Sequence, residues 1–304
     1  MKTILVTGSN GLLGQKIIYA LREMRNVRCI ATGIGINRLR AQDGYEYVTL
    51  DITNPEDVKQ VMQLYRPDVV INTAAMTNVD ACEQRRDEAE ALNVTSVKQL
   101  VASCNACSAH LVHLSTDFVF DGSAGPYVET DTPNPLSHYA FTKWQGEKAV
   151  MDGATSWSIL RTIIIYGVVD DNSRSNVVLW TFNSLRQGKV INAINDQFRS
   201  PTLAEDLADA CIQAGLRKAH GIYHVSGRET MCILDLVNIV ASFFNLDGSL
   251  VRSISSEELN QPAKRPPVTG FIISKAEQDL GFKPRTFLEG LELIKKQLLM
   301  VGAL

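Results

Sequence analysis

Tyr139 and Lys143 stand four positions apart in the stretch "HYAFTKWQGEKAV", residues 138–150. On a helix that spacing brings a phenol and an ammonium to one face, a single turn apart. A tyrosine ordinarily titrates near pH 10, so trading its proton at neutral pH requires a shift of up to about three units, or ~4 kcal/mol. A neighbouring cation favours the phenolate and supplies part of that shift. Just upstream, "HLVHLSTD" ends on Ser115, Thr116 and Asp117. A hydroxyl from Thr116 could hold a substrate oxygen for proton transfer. The competing reading is a surface helix carrying an amphipathic tyrosine, and the rest of the chain must choose between the two.

The choice turns on "VTGSNGLLG" near the start. Gly8, Gly11 and Gly14 follow a strand pattern and open a helical one, in a G-x2-G-x2-G spacing rather than the commoner G-x-G-x2-G. The physics is shared: a tight turn, close backbone approach to a pyrophosphate, and helix amides that face the phosphates. The predicted cradle is Gly8, Asn10, Gly11, Leu12, Leu13 and Gly14. The second strand ends in "ATGIGINRLR", which has no acidic residue to hold a ribose 2′-hydroxyl but does carry Arg38 and Arg40. A guanidinium fork suits a 2′-phosphate, so NADP(H) is favoured, with NAD(H) as the alternative. Asp51 and Ile52, at the end of the third strand, are placed toward the adenine. Thr73, Ala74 and Ala75, after the fourth, offer small side chains for the coenzyme to lie against. A nicotinamide held there would sit beside the Tyr139–Lys143 pair. In its oxidised state it would add positive charge that favours the phenolate.

The elements that must position these groups alternate in the first half. Strand candidates fall at 2–8, 27–33, 47–51, 68–74, 109–116 and 157–162, and helical patterns at 11–24, 55–65, 84–107 (with a break near Asn93) and 137–151. Asn54 and Pro55 mark a helix start. This is the pattern of an α/β, doubly wound parallel sheet of the Rossmann type. Beyond residue 166, "YGVVDDNSRSN" reads as turn-like, and a helix is expected to be capped near Thr202. A strand at 221–225, a helix at 232–245 and helices from 274 and 286 follow. The expected organisation is a dinucleotide-binding domain over 1–165 and a smaller α/β substrate-binding domain over 166–304. The stretch around 195–225 is a candidate to return to the core.

Composition narrows the setting. The chain has 304 residues, 45% hydrophobic and 21% charged, with a net charge of −3, which offers no footprint for nucleic acid or an anionic membrane. The apolar start is too short for a signal-peptide core and no span is long and apolar enough for a bilayer, so a cytoplasmic protein is expected. Six scattered cysteines fit a reducing compartment. Cys104, Cys107, His110 and His113 have the spacing of a metal site. However, the two histidines fall three apart on a predicted strand and so face opposite ways, and no metal is expected. No carboxylate cluster marks a magnesium site.

With these residues in view, the chain resembles the extended short-chain dehydrogenase/reductases, and within them the dTDP-4-dehydrorhamnose reductases. The likeness runs through "VTGSNGLLG", "INTAAMTNVDACE", "STDFVFDG", "PYVETDTPNPLSHYAFTKWQGEKAV", "LRTIIIYG", "RSPTLAEDLA" and "KRPPVTGFIISKAEQDLGF". The resemblance implies a Thr116–Tyr139–Lys143 triad, sugar contacts from Thr116 and Asp117, and a nucleotide diphosphate held by the second domain. Arg265 is the candidate for the diphosphate, with Gln197 and Arg199 as weaker ones. The implied reaction is NADPH-dependent reduction of a 4-keto group on a nucleotide-linked deoxysugar. Related dehydratases carry an Asp-Glu pair after the threonine; here Asp117 is followed by Phe118, which disfavours dehydration. A sugar-nucleotide epimerase is one alternative. The other is a non-catalytic NADP-binding module like the regulatory subunit of methionine adenosyltransferase. Ile164 stands where the reductases commonly carry a tryptophan that shapes the sugar site, and Met76 where an aromatic or histidine is usual, which leaves the identity of the sugar open. A homodimer is left open.

Overall fold

The computed structural model describes residues 1–170 and 176–302. The first half lays down strands β1 (Lys2–Thr7), β2 (Val27–Gly33), β3 (Glu46–Thr49), β4 (Val69–Asn72), β5 (His110–Thr116) and β6 (Trp157–Thr162). Between them run helices α1 (Leu12–Arg22), α2 (Pro55–Tyr65), α3 (Val79–Gln84), α4 (Arg86–Glu90), α5 (Ser96–Cys107) and α6 (His138–Gly153). The central strands are apolar on both faces, the signature of a parallel sheet covered on both sides. β4 and β5 are buried along their whole length.

The second half adds short strands β7 (Ile165–Tyr166), β8 (Ile191–Ile194), β9 (Phe198–Arg199), β10 (Thr202–Leu203), β11 (Gly221–His224), β12 (Met231–Cys232) and β13 (Val251–Ile254). Its helices are α7 (Val177–Arg186), α8 (Ala204–Arg217), α9 (Ile233–Phe243), α10 (Ser256–Leu259), α11 (Ser274–Leu280) and α12 (Phe287–Met300). β11 pairs in parallel with β6, so the main sheet has seven strands in the order β11-β6-β5-β4-β1-β2-β3. α1, α8 and α11 bury Ile17, Ile18, Leu207, Cys211 and Leu280 against one face. α2, α5 and α6 bury Val58, Met62, Leu100, Val101 and Val150 against the other. The fold is therefore the expected doubly wound α/β sheet. A separate apolar cluster joins α7, α9 and α12 through Leu179, Phe182, Val240, Leu291 and Ile294.

Sheet order reverses at β1, which lies between β2 and β4. In such sheets the crevice beyond the strand carboxyl ends at this reversal is the ligand site.

Three local expectations are corrected. The third strand ends at Thr49 because Leu50 turns into the core and the Asp51 carboxylate closes the next turn by accepting from the Thr53 amide at 2.9 Å. The expected break near Asn93 is a π-helical turn over Ala91–Thr95, which swings Asn93 inward. There it accepts from the Met76 amide at 2.9 Å and donates to the Thr142 hydroxyl at 3.0 Å. Such one-turn insertions recur beside functional sites. Thr202 does not cap α8: it lies in β10, and its hydroxyl donates to the Ile163 carbonyl at 2.6 Å. Of the polar stretch expected to be turn-like over 166–176, residues 171–175 lie outside the described residues.

Candidate active site

The glycine turn links β1 to α1 under tight steric limits. Gly8 has φ +68, and a Cβ there would lie 2.8 Å from both the Ala74 amide nitrogen and the Thr73 hydroxyl. A Cβ on Gly14 would meet the Gly8 carbonyl at 2.4 Å. Gly11 caps α1 with no side-chain hydrogen bond, so the first amides of that helix stay open for an anion. Gly11, Leu12, Leu13, Gly14, Thr73 and Ala75 line one wall of a cleft of about 480 Å³. A cradle this close to bare backbone fits a dinucleotide pyrophosphate.

The opposite wall carries the acid–base candidates. Ser137 caps α6 by accepting from the Ala140 amide, which sets Tyr139 in the first turn directly after the loop. Tyr139, Lys143, Thr116 and Asp117 all line the cleft and all are buried. The Lys143 ammonium donates to the Leu114 carbonyl at 2.6 Å. The Tyr139 phenol lies in the same cleft as Thr116, whose hydroxyl donates to Asp117 Oδ1 at 3.0 Å.

Burial dominates the electrostatics. It drives the Tyr139 phenol well above its ordinary value, with the Asp117 charge adding to the rise and the Thr116 side chain opposing it. It pulls the Lys143 ammonium down to about 8, against the attraction of Glu147. The expected lowering of the phenol by its cation is not seen in the protein alone, where burial governs: Tyr139 is held as the acid, the form a ketone reduction requires. Asp117 is pushed up by burial, partly offset by Arg199 and by hydrogen bonds from Thr269 and Thr116.

The second half closes the cleft with Asn176, Gln197, Arg199, Ile233 and Arg265. Arg199 is buried; it donates to the Pro266 carbonyl at 2.6 Å and lies 3.8 Å from Asp117 Oδ2. Arg265 makes a forked pair with Asp80 of α3, at 2.8 and 3.2 Å. Ile164 lines the same cleft in a left-handed conformation at φ +31, unusual for a β-branched residue. Met76 packs beside Tyr139 with Cys82, Val79 and Phe118.

Other candidates fall outside the cleft wall. Gly8 and Ala74 form the floor of the turn. The Asn10 side chain ties the loop after β2, donating to the Ile36 carbonyl and Tyr47 hydroxyl, each at 3.0 Å, and accepting from the Arg38 amide at 2.9 Å. Arg38 is exposed on that loop, Asp51 is engaged with Thr53, and Ile52 belongs to the core. His110 bonds Ser156 and Ser158 at 2.8 Å each, whereas His113 faces Asn72 at 3.1 Å. Among the described residues no group of three His, Cys, Asp or Glu side chains could hold a metal. Sequence reasoning passed over Thr269, Asn93, Glu147 and Arg161. Only Glu147 carried a usable signal, the i+4 step beyond Lys143.

Fold and cleft define a dinucleotide-binding oxidoreductase scaffold with a short-chain-dehydrogenase type of site. The chain belongs to the family described as RmlD substrate binding domain, which matches residues 1–300. It is 33% identical over 287 residues to methionine adenosyltransferase 2 subunit beta of Xenopus tropicalis, covering 93% of this chain and 83% of that one. Among solved structures it resembles a dTDP-4-dehydrorhamnose reductase from Clostridium acetobutylicum, with a TM-score of 0.86 and 32% identity over 97% of this chain and 99% of that one. It also resembles the Bacillus anthracis dTDP-4-dehydrorhamnose reductase in complex with NADP, with a TM-score of 0.83 and 28% identity over the same shares. Among the described residues no helix is long and apolar enough to cross a membrane.

Proposed function

We propose that this protein reduces the 4-keto group of a nucleotide-activated deoxysugar, using NADPH in preference to NADH, in the manner that converts dTDP-4-dehydrorhamnose to dTDP-rhamnose. The observation that carries the reading is the buried Tyr139 phenol, set with Thr116 and Lys143 in one cleft shared with the glycine turn. The reduced nicotinamide supplies the hydride when bound. Tyr139 gives its proton to the oxygen of the former ketone, Thr116 orients that oxygen, and Lys143 stabilises the phenolate left behind. Asp117 takes a sugar hydroxyl, while Phe118 leaves no second carboxylate for eliminating water. Arg265, with Arg199 beneath it, takes the diphosphate.

In this reading residues 1–165 hold the dinucleotide and residues 166–304 furnish the substrate walls. The return of α8 and β11 to the main sheet joins the two parts. All six cysteines are unpaired, which supports a cytoplasmic setting.

The likeness to methionine adenosyltransferase 2 subunit beta favours a second reading, a dinucleotide-binding regulatory module without turnover. One assay separates them: protein, NADPH and a dTDP-4-keto-6-deoxysugar, followed by loss of the reduced nicotinamide absorbance. Turnover that disappears in Tyr139→Phe supports the reductase. Coenzyme binding with no turnover on any keto-sugar nucleotide supports the regulatory module. Product formed without net consumption of nicotinamide identifies an epimerase.

A further inference from the structure

Glu147 lies one turn beyond Lys143 on α6, as Lys143 lies one turn beyond Tyr139. Glu147 is 0% exposed and its partner Arg161, on β6, is 1% exposed. Arg161 grips the carboxylate with a fork, Nε to Oε1 at 2.9 Å and Nη2 to Oε2 at 2.7 Å. Oε1 also accepts from the Ser115 hydroxyl, on the residue before Thr116. Arg161 in turn packs over the Phe120 ring at 5.1 Å and reaches His224 Nε2 at 3.5 Å. Neither Glu147 nor Arg161 lines the cleft. Any part they take in chemistry runs through their neighbours.

A sealed Glu–Arg pair is a weak source of stability, because desolvation cancels much of the attraction. As a clamp alone it would be electrically closed. Lys143, however, brings a second cation into the same buried region, where its ammonium donates to the uncharged Leu114 carbonyl. The groups around Lys143 are Tyr139 and Glu147 on its own helix, His113 and the Leu114 carbonyl on β5, Asp117 just beyond β5, and Arg161 on β6 behind Glu147. His113 is buried and held neutral, in part by Lys143 itself. Asp117 is engaged by Thr116, Thr269 and Arg199. Glu147, one turn along the same helix, is the carboxylate that attracts the Lys143 charge against the pull of burial, while its own oxygens are forked to Arg161.

We propose that Glu147 is a positioning residue of the active site: shared by Arg161 and Ser115, it keeps Lys143 in its ammonium form and registers the tip of β5 that presents Thr116. The effect on turnover rests on the reductase reading; the effect on Lys143 does not.

The test is a pH titration of the full chain labelled with 13Cε-lysine, the Lys143 signal being identified by its loss in Lys143→Met. In Glu147→Gln the Lys143 signal titrates at least about one pH unit lower than in the wild type, a tenfold change in proton affinity. Where turnover is measured, its alkaline limb moves down by the same amount. Because Glu147→Gln strands the Arg161 charge, the neutral pair Glu147→Gln/Arg161→Met guards against misfolding. In it the shift is at least about half a unit, since a more distant like charge is removed as well. A Lys143 signal that titrates unchanged in the folded paired variant overturns the proposal. A wild type without turnover bears on the reductase reading alone, and the lysine signal still decides this one.

Discussion

Arg265 and Asp80 meet through two parallel hydrogen bonds, from Nη2 at 2.8 Å and Nη1 at 3.2 Å, at the mouth of the cleft. Asp80 is held below the usual carboxylate range, first by the Arg265 bond and then by the Ala263 amide. A diphosphate arriving at Arg265 must compete with that carboxylate. A charge-assisted hydrogen bond is worth about 1.5–3 kcal/mol, so Arg265→Met should raise KM for the nucleotide sugar roughly tenfold to a hundredfold, with kcat little changed. Asp80→Asn should lower KM by freeing the guanidinium. Steady-state kinetics on both variants check the pair; an unchanged KM in Arg265→Met removes Arg265 from the substrate wall.

Gly14→Ala should unfold the coenzyme cradle, because the added Cβ falls 2.4 Å from the Gly8 carbonyl, a backbone atom that cannot yield. Overpacking of this kind costs about 1–3 kcal/mol, and loss of dinucleotide affinity should accompany it. Gly248→Ala, with no atom within 4 Å of its Cβ, is the control and should be close to neutral. Thermal melts with and without NADPH read both effects.

Lys143 sets a pH dependence of stability with a definite sign. Its folded value is lowered from 10.5 to about 8, so between those limits the unfolded chain binds the proton that the folded chain has released. The stability of the wild type relative to Lys143→Met should therefore climb as pH rises from about 8 toward 10.5, by up to ~3 kcal/mol. Denaturant titrations of both proteins between pH 7.5 and pH 10 give the difference directly. A flat difference would mean that the ammonium is solvated.

Arg38 is carried on the loop that Asn10 ties to the glycine turn, its amide bonded to Asn10 Oδ1 at 2.9 Å. If its guanidinium takes the 2′-phosphate, Arg38→Ala should lower affinity for NADPH about tenfold or more and leave NADH untouched. Fluorescence titration with the two coenzymes measures the ratio. Equal losses for both would assign Arg38 a structural role in the loop.

Legible in the sequence was what nearby residues decide. Apolar runs bounded by turn residues marked the strands of the main sheet, and Gly8, Gly11 and Gly14 marked a turn that only bare backbone allows. The four-residue step from Tyr139 to Lys143 placed two side chains on one helical face. Less legible was anything set by partners distant in the chain. Thr202 looked like a cap but answers to the Ile163 carbonyl. Asp51 looked like the end of its strand, but the strand stops at Thr49 and the Asp51 carboxylate is spent on Thr53.

The sequence by itself determined the sheet, the phosphate turn and the acid–base spacing, because each follows from backbone geometry repeated over a few residues. Tertiary structure alone decided that Tyr139 stays protonated, that Arg265 is paired with Asp80, and that Glu147 sits between Arg161 and Ser115. Burial and the meeting of polar and charged groups 14, 32 or 185 positions apart are properties of the packed chain, and no local pattern encodes them.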